Sequence, residues 1–595
     1  MAEIEPVGGP AGAPVETAPV EIAPGEATPI TIDAPAAPPP PPARPKGLLR
    51  WGIALIALAV MVGVVSVAAA LLAAGGSTSA VGGWIPQGTV AYLEIRADLP
   101  GDQRAKVGDL LARFPGFADQ ATNDAKIDEA LDRLLEGSGV SWTADVKPWL
   151  GGEIGVAITS AVFDLAGMQL DNLQQRGGID DGVVLLVAVK DATAAKSWVT
   201  KQVGGTQATE SYAGGEITVV SDAPGGTMAF SVRGSVMLLG PVKAVKAALD
   251  TGGSSPVATA ESFVSARKTA PSAYLGFGYL DPKAFVDAAL AAAGDQAGLP
   301  KACLDLVIEK IPAWAAGSAR AEDGALVFAV TAKAAAADVT TKDTASAIAS
   351  HLPASTVAAI EVRDLGAGVV AALDSLKTTL ACDPSAAEAI AQLEQALVVV
   401  GGAEALIGWA DDTAIAATVD GTAVGGGLAA TVTDEAKAGR TLDQLKMLLA
   451  VGGGAAGLAS RQEAYGGGTL LVVTIPAGAV GVAIPEIAAT VQGGVFALGT
   501  IDFVKAVVDT SAAGSLAKDP VYERAIALAG GDGTSDVFID MAGIRAAVGA
   551  MLPAGAKTQY ETEIKPFLVP FEAFASVAEA PGATAVWRAV ITFTK

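Results

Sequence analysis

The stretch Pro86-Gln-Gly-Thr-Val-Ala-Tyr-Leu-Glu-Ile-Arg96 returns 267 positions later as Pro353-Ala-Ser-Thr-Val-Ala-Ala-Ile-Glu-Val-Arg363. Further matches follow in the same order. Trp149 to Ile158 aligns with the stretch after Trp409, and Tyr212-Ala-Gly-Gly with Tyr465-Gly-Gly-Gly. Phe230 to Gly240 aligns with Ala489 to Gly499, 259 positions apart, and helix-like runs then end in Asp250-Thr251 and Asp509-Thr510. Ser272 and Ser535 open the next matched strands, and each copy closes on an apolar strand, Leu326 to Thr331 and Val586 to Phe593. A period near 260 residues is far too long for a solenoid unit, so the chain reads as two domain-sized copies, residues 82–334 and 350–595.

Within a copy the hydrophobic period switches between two values. Thr89–Arg96 alternates, with Ala91, Leu93 and Ile95 on one face and Tyr92, Glu94 and Arg96 on the other. Val183 to Val189 reads as a buried strand, and Phe230 to Leu239 as a hairpin. Helical spacing appears at Ile127, Leu131, Leu134 and Leu135, and again at Ile390, Leu393 and Leu397. Clustered strands separated by one or two helices and by glycine turns predict an α+β fold, with antiparallel sheets covered by helices. The expectation is one such sheet-plus-helices domain per copy, in tandem.

Ahead of the copies lie two segments of different character. Residues 1–45 are rich in proline, including the run Pro38 to Pro42, and show no apolar period, which predicts a disordered tail. Trp51 to Ala74 carries no charge over 24 residues, enough to cross a bilayer, so a transmembrane helix is expected over 48–74. Arg44, Lys46 and Arg50 precede it, and no Lys or Arg follows until Arg96. By the positive-inside rule the N-terminus is then cytoplasmic and the two copies lie outside, at the cell membrane. The net charge of −24 argues against nucleic acid as a partner. The expected partners are the lipid bilayer, through residues 48–74, and an envelope protein or an apolar ligand.

The strand Thr89–Arg96, the segment Asp98 to Lys106, Phe114-Pro-Gly-Phe-Ala118 and Val146-Lys-Pro-Trp-Leu-Gly-Gly-Glu153 resemble the DUF3352 family of bacterial envelope proteins. The resemblance implies an envelope protein of unestablished function and supplies no catalytic residues. The second copy departs from the motif, with Ala410-Asp411-Asp412 where the first has Leu150-Gly151-Gly152-Glu153.

Motifs that carry chemistry are sparse. His351 is the one histidine, and no Cys-x-x-Cys or His-Glu-x-x-His spacing accompanies it. Gly452 to Gly457 fits Gly-x-Gly-x-x-Gly but follows a helical run, and the first-copy counterpart of Gly366-Ala-Gly368, Pro100-Gly-Asp-Gln-Arg104, lacks the glycine pattern. Asp411-Asp412 and the series Asp532, Asp536, Asp540 are candidate cation ligands that read better as solvated carboxylates. Glu94 with Arg96, and Glu361 with Arg363, share a strand face and read as structural ion pairs. No cofactor and no metal is expected.

Cys303 and Cys382, the only cysteines, fall in opposite copies. An oxidising compartment allows a disulfide between them, and the alternative is two buried free thiols. Three functions remain. The first is a membrane-anchored, non-catalytic structural or interaction module of the cell envelope. The second is a carrier or sensor of an apolar, lipid-like ligand bound between the copies. The third is an enzyme, which so little acid–base equipment disfavours.

Overall fold

The computed structural model describes residues 79–119, 123–163, 181–223, 226–293, 301–333, 343–398, 401–452, 458–475, 486–579, 582 and 584–594. The first half supplies strands β1 (Thr89–Arg96), β2 (Leu150–Thr159), β3 (Val183–Val189), β4 (Thr206–Tyr212), β5 (Gly215–Ala223), β6 (Gly226–Arg233), β7 (Val236–Pro241), β8 (Gly276–Leu280), β9 (Ala315–Glu322) and β10 (Ala325–Lys333). The second supplies β11 (Thr356–Val362), β12 (Ala410–Asp420), β13 (Ala423–Val432), β14 (Ala459–Tyr465), β15 (Gly468–Thr474), β16 (Glu486–Gln492), β17 (Val495–Thr500), β18 (Ser535–Asp540), β19 (Phe571–Glu579) and β20 (Thr584–Phe593).

All these strands join one twenty-stranded sheet in which every neighbouring pair is antiparallel. Across the first half the order is β4-β5-β6-β7-β3-β2-β1-β8-β9-β10, and the second half repeats it as β14-β15-β16-β17-β13-β12-β11-β18-β19-β20. The halves meet where β10 pairs with β20, from Ala325↔Thr592 to Lys333↔Thr584. At the centre of that ladder Ala329 faces Arg588, which is its own counterpart in the repeat. The junction is therefore a pseudo-twofold axis, the geometry of an isologous dimer built into one chain.

Two features of the expected architecture are corrected. The copies are not separate domains with a sheet each, because one sheet runs through both. The physical reason lies in the closing strands. Left alone, each would be an apolar edge with a row of unpaired N–H and C=O groups, and pairing them with each other removes that liability. The true edges, β4 and β14, read Thr-Gln-Ala-Thr-Glu-Ser-Tyr and Ala-Ser-Arg-Gln-Glu-Ala-Tyr, and are polar and almost wholly exposed. The second correction concerns the membrane. Among the described residues no helix is long and apolar enough to cross one. The helix expected over 48–74, like the tail 1–45, lies outside the described residues, so the described fold holds no spanning helix.

Helices cap and cover the sheet by ordinary local rules. Asp191, Asp519 and Asp540 each accept a backbone N–H at the first turn of the helix that follows, and Pro520 occupies the first position of its helix. Tyr92, Phe263, Phe277 and Leu238 belong to one core of the first half, and Ala359, Phe503, Phe538 and Val590 to the core of the second. A disulfide joins Cys303, in the helix Lys301–Glu309, to Cys382, just beyond the helix Leu365–Leu380, with Cα atoms 5.4 Å apart. It ties the halves together away from the β10–β20 ladder.

Candidate functional site

Alternation on β1 and β11 sends the charged side chains inward. Glu94, Arg96, Glu361 and Arg363 are almost completely buried, whereas Leu93 and Ile360 are exposed. A buried charge requires partners. In the first half Arg96 binds Asp98 through two hydrogen bonds, of 2.7 and 2.6 Å, and lies 3.5 Å from Glu153. Glu94 accepts hydroxyl hydrogens from Tyr92 and Ser79, both at 2.8 Å, and from Tyr274. Glu153 accepts the backbone N–H groups of Ala80 and Val81, at 2.6 and 3.2 Å.

The second half builds the same frame with exchanged partners. Ser346 donates to Glu361, as Ser79 does to Glu94. Asp412 accepts the N–H of Ala347 at 2.7 Å, the role Glu153 plays toward Ala80. The apparent departure at Ala410-Asp411-Asp412 therefore keeps the carboxylate and shortens its stem. Arg363, however, takes its close partner from β18, where Asp536 stands in the register position that Phe277 holds in the first half. Tyr522 donates to Glu361 at 3.2 Å, replacing the tyrosines around Glu94. Each cluster pins the segment leading into its copy, residues 79–81 or 346–347, beneath the sheet. Both clusters are almost wholly buried.

Three carboxylates around one guanidinium have a titration consequence. Burial pushes the Glu361 carboxyl up to about 7, with the Asp536 charge adding to the shift and the Ser346 hydrogen bond opposing it. Burial also raises Asp536. A carboxyl whose folded pKa lies above its unfolded value destabilises the fold once the pH exceeds both. Stability should therefore fall as pH rises from about 4.5 through 7, by about 3 kcal/mol from Glu361. Replacing Glu361 with Gln should remove that share of the slope, read from urea unfolding at pH 5, 6, 7 and 8. An unchanged slope would show that Glu361 titrates elsewhere.

The second site is apolar and lies where the halves meet. A pocket of about 590 Å³ has Leu93, Ile95 and Phe328 on its floor, the exposed face of β1 and β10. One wall is the helix Gln103–Leu111 and the turn after it, through Val107, Leu110, Phe114 and Phe117. The other comes from the second half, through Phe567, Phe571 and Phe593. Phe114 packs edge-on against Phe571 and Phe593, at 5.4 and 6.1 Å between ring centroids. Gln103 clamps its helix to β9 by exchanging two hydrogen bonds with the backbone of Ala321. Arg113 donates to the carbonyl oxygens of Phe593 and Thr594, holding the end of β20 against the same wall. Arg320 is the one charged residue in the lining, and it pairs with Glu322. Size and lining suit a hydrocarbon chain. The sequence suggested an apolar site between the copies but not its lining, because Phe114 and Phe593 are brought together only by the β10–β20 pairing.

The remaining sequence candidates are consumed by structure. Asp540 is a helix cap and Asp536 an ion-pair partner. Asp411 is held up at about 6, by burial first and then by its contact with Asp364. His351 is half-buried at the end of a short turn, where desolvation lowers its pKa. Gly366 is needed for packing, since a Cβ there would meet the Ile407 carbonyl oxygen at 2.4 Å. Residues 453–457 of the Gly452–Gly457 motif lie outside the described residues. A shallow polar depression near the helix Asn123–Leu135 is lined by Asp128 and Asp132, but Trp142, Lys147, Ser141 and Thr143 already occupy those carboxylates. Among the described residues no group of three or more His, Cys, Asp or Glu side chains is arranged to hold a metal ion.

Fold and site together define a duplicated antiparallel-sheet protein with an apolar pocket beside its internal dyad. The chain belongs to the DUF3352 family, a protein family of unknown function, whose model matches residues 51–584. No curated protein matches the chain. Among solved structures, crystal forms I, III and IV of TP0453 are similar to part of it, at 10%, 10% and 12% identity. They cover 44%, 44% and 42% of this chain and 81%, 84% and 79% of their own, with TM-scores of 0.22, 0.21 and 0.20. A likeness that slight carries no argument about fold or function.

Proposed function

We propose that this protein is a non-catalytic module of the bacterial cell envelope that carries or senses an apolar, lipid-like ligand in the pocket between its halves. The observation that carries the reading is the lining itself: aromatic and aliphatic side chains from both halves converge on one space, with a single, already paired cation. An exposed apolar concavity is costly to keep in water without an occupant. Placement outside the cytoplasm, expected from Arg44, Lys46 and Arg50 lying ahead of the uncharged run, is part of the proposal. The Cys303–Cys382 bond supports it, since such bonds persist in oxidising compartments.

Native mass spectrometry of the purified full chain, with extraction of whatever co-purifies, tests the proposal. A bound fatty acid or other lipid is the expected result. Phe567 is half-exposed, so changing it to Glu should leave the melting temperature nearly unchanged. The same change should weaken palmitate binding at least tenfold, because it places a charge in the hydrocarbon site. A chain that carries no lipid and binds no palmitate would contradict the proposal.

A further inference from the structure

The pocket floor has a dyad-related copy. In the first half Ile95, Gly276, Ala319 and Phe328 stand side by side across β1, β8, β9 and β10, sharing one sheet face. In the second half Val362, Ser535, Ala578 and Trp587 stand side by side across β11, β18, β19 and β20. The match is residue for residue, and the next row repeats it. Leu93, Gly278, Gly317 and Val330 correspond to Ile360, Val537, Ser576 and Ala589. The two floors are continuous, since Phe328 pairs with Ala589 and Val330 with Trp587 across the junction.

Exposure follows the same symmetry at Leu93 and Phe328 and their counterparts, although Val330 is exposed and its counterpart Ala589 is buried. Leu93 and Ile360 are 45% and 53% exposed, and Phe328 and Trp587 are 38% and 41% exposed. Large apolar side chains at matching positions on both sides of the axis are a patterned surface, unlike scattered exposed residues. Three strand spacings of ~4.8 Å separate β1 from β10, so each half-floor is about 14 Å wide, and the two lie end to end.

We propose that the protein holds two hydrocarbon chains, one on each side of the dyad. The first lies in the roofed pocket over Leu93 and Phe328, and the second along Ile360 and Trp587. The ligand class is then a pair of single-chain fatty acids. This inference rests on the proposed apolar-ligand function and adds its stoichiometry and second site. The occupant of the second floor is taken to be hydrocarbon because that floor is continuous with the first and matches it in chemistry and register.

Palmitate titrated into the delipidated full chain, with bound copies counted by native mass spectrometry, provides the test. Two palmitates per chain are expected. The double variant Ile360→Ser with Trp587→Ser should hold one, with its melting temperature close to that of the unsubstituted protein because both positions are on the surface. Leu93→Ser with Phe328→Ser should also hold one, having lost the other site. A single palmitate in the unsubstituted chain, unaffected by the Ile360 and Trp587 changes, would overturn the second site and leave the pocket function standing. Two palmitates retained by the Ile360 and Trp587 variant would overturn it as well. No palmitate at all would remove both proposals.

Discussion

Replacing Arg363 with methionine should destabilise the protein by about 3–5 kcal/mol at pH 8 and by much less at pH 5. The guanidinium is buried and binds Asp536, with Glu361 at 3.8 Å and Asp412 at 4.0 Å. Without it three carboxylates face one another out of water. Their negative charges are costly at pH 8, where Glu361, already lifted to about 7, is mostly ionised. At pH 5 protonation of Glu361 and Asp536, both raised by burial, relieves that repulsion, and the cost falls. Denaturant unfolding at the two pH values measures the difference. A companion variant, Arg363→Met with Asp536→Asn, should recover part of the loss at pH 8, because it deletes one of the stranded charges. Equal destabilisation at both pH values would mean that Arg363 acts through packing alone.

Loss of the Cys303–Cys382 bond is the second large effect. The bond closes 79 positions of chain between the halves. On the chain-entropy model, a loop of that length is worth about 4 kcal/mol. Serine at both positions should therefore lower the melting temperature by a few degrees, since the unfolding entropy of a chain this long is large. Neither cysteine lines the pocket, so palmitate affinity should not change. Identical melting of the oxidised and reduced protein would contradict the stapling role. So would two titratable thiols in protein denatured without reductant.

The sequence reads clearly where local pattern decides structure. The alternation Thr89–Arg96 and its repeat at Thr356–Val362 show two equivalent strands, and those strands occupy equivalent places in the sheet. Alternation alone does not say which face is buried. The apolar side of β1 carries the exposed Leu93, while its polar side carries Tyr92, Glu94 and Arg96 into the interior. What decides this is the set of hydroxyls and carboxylates supplied from elsewhere, by Ser79, Glu153 and Tyr274. Those partners are distant in the chain and carry no local signature. Ser346 and Asp412 show that the frame recurs, but the swap from Asp98 to Asp536 moves a carboxylate from the turn after β1 to β18, which only the fold reveals.

The union of the two sheets was out of reach for a similar reason. Leu326 to Thr331 and Val586 to Phe593 read as apolar closing strands in either arrangement. Their pairing is a contact across more than 250 positions, and nothing in either strand names the other. The pocket depends on that pairing, because Phe567, Phe571 and Phe593 reach Phe114 only once β20 lies beside β10. The sequence could offer a groove between copies as a possibility and could not name its lining.

The central claim is that hydrocarbon binds at the junction of the halves. A crystal of the full chain grown with a bromine-labelled fatty acid tests it most directly, because the bromine atoms mark the chain by anomalous scattering. The account predicts bromine peaks over the sheet face between Leu93, Phe114 and Phe567, with a second set beside Trp587 and Ile360. A chain that binds the labelled acid elsewhere, or gives no ordered bromine on that face at saturating ligand, would contradict it.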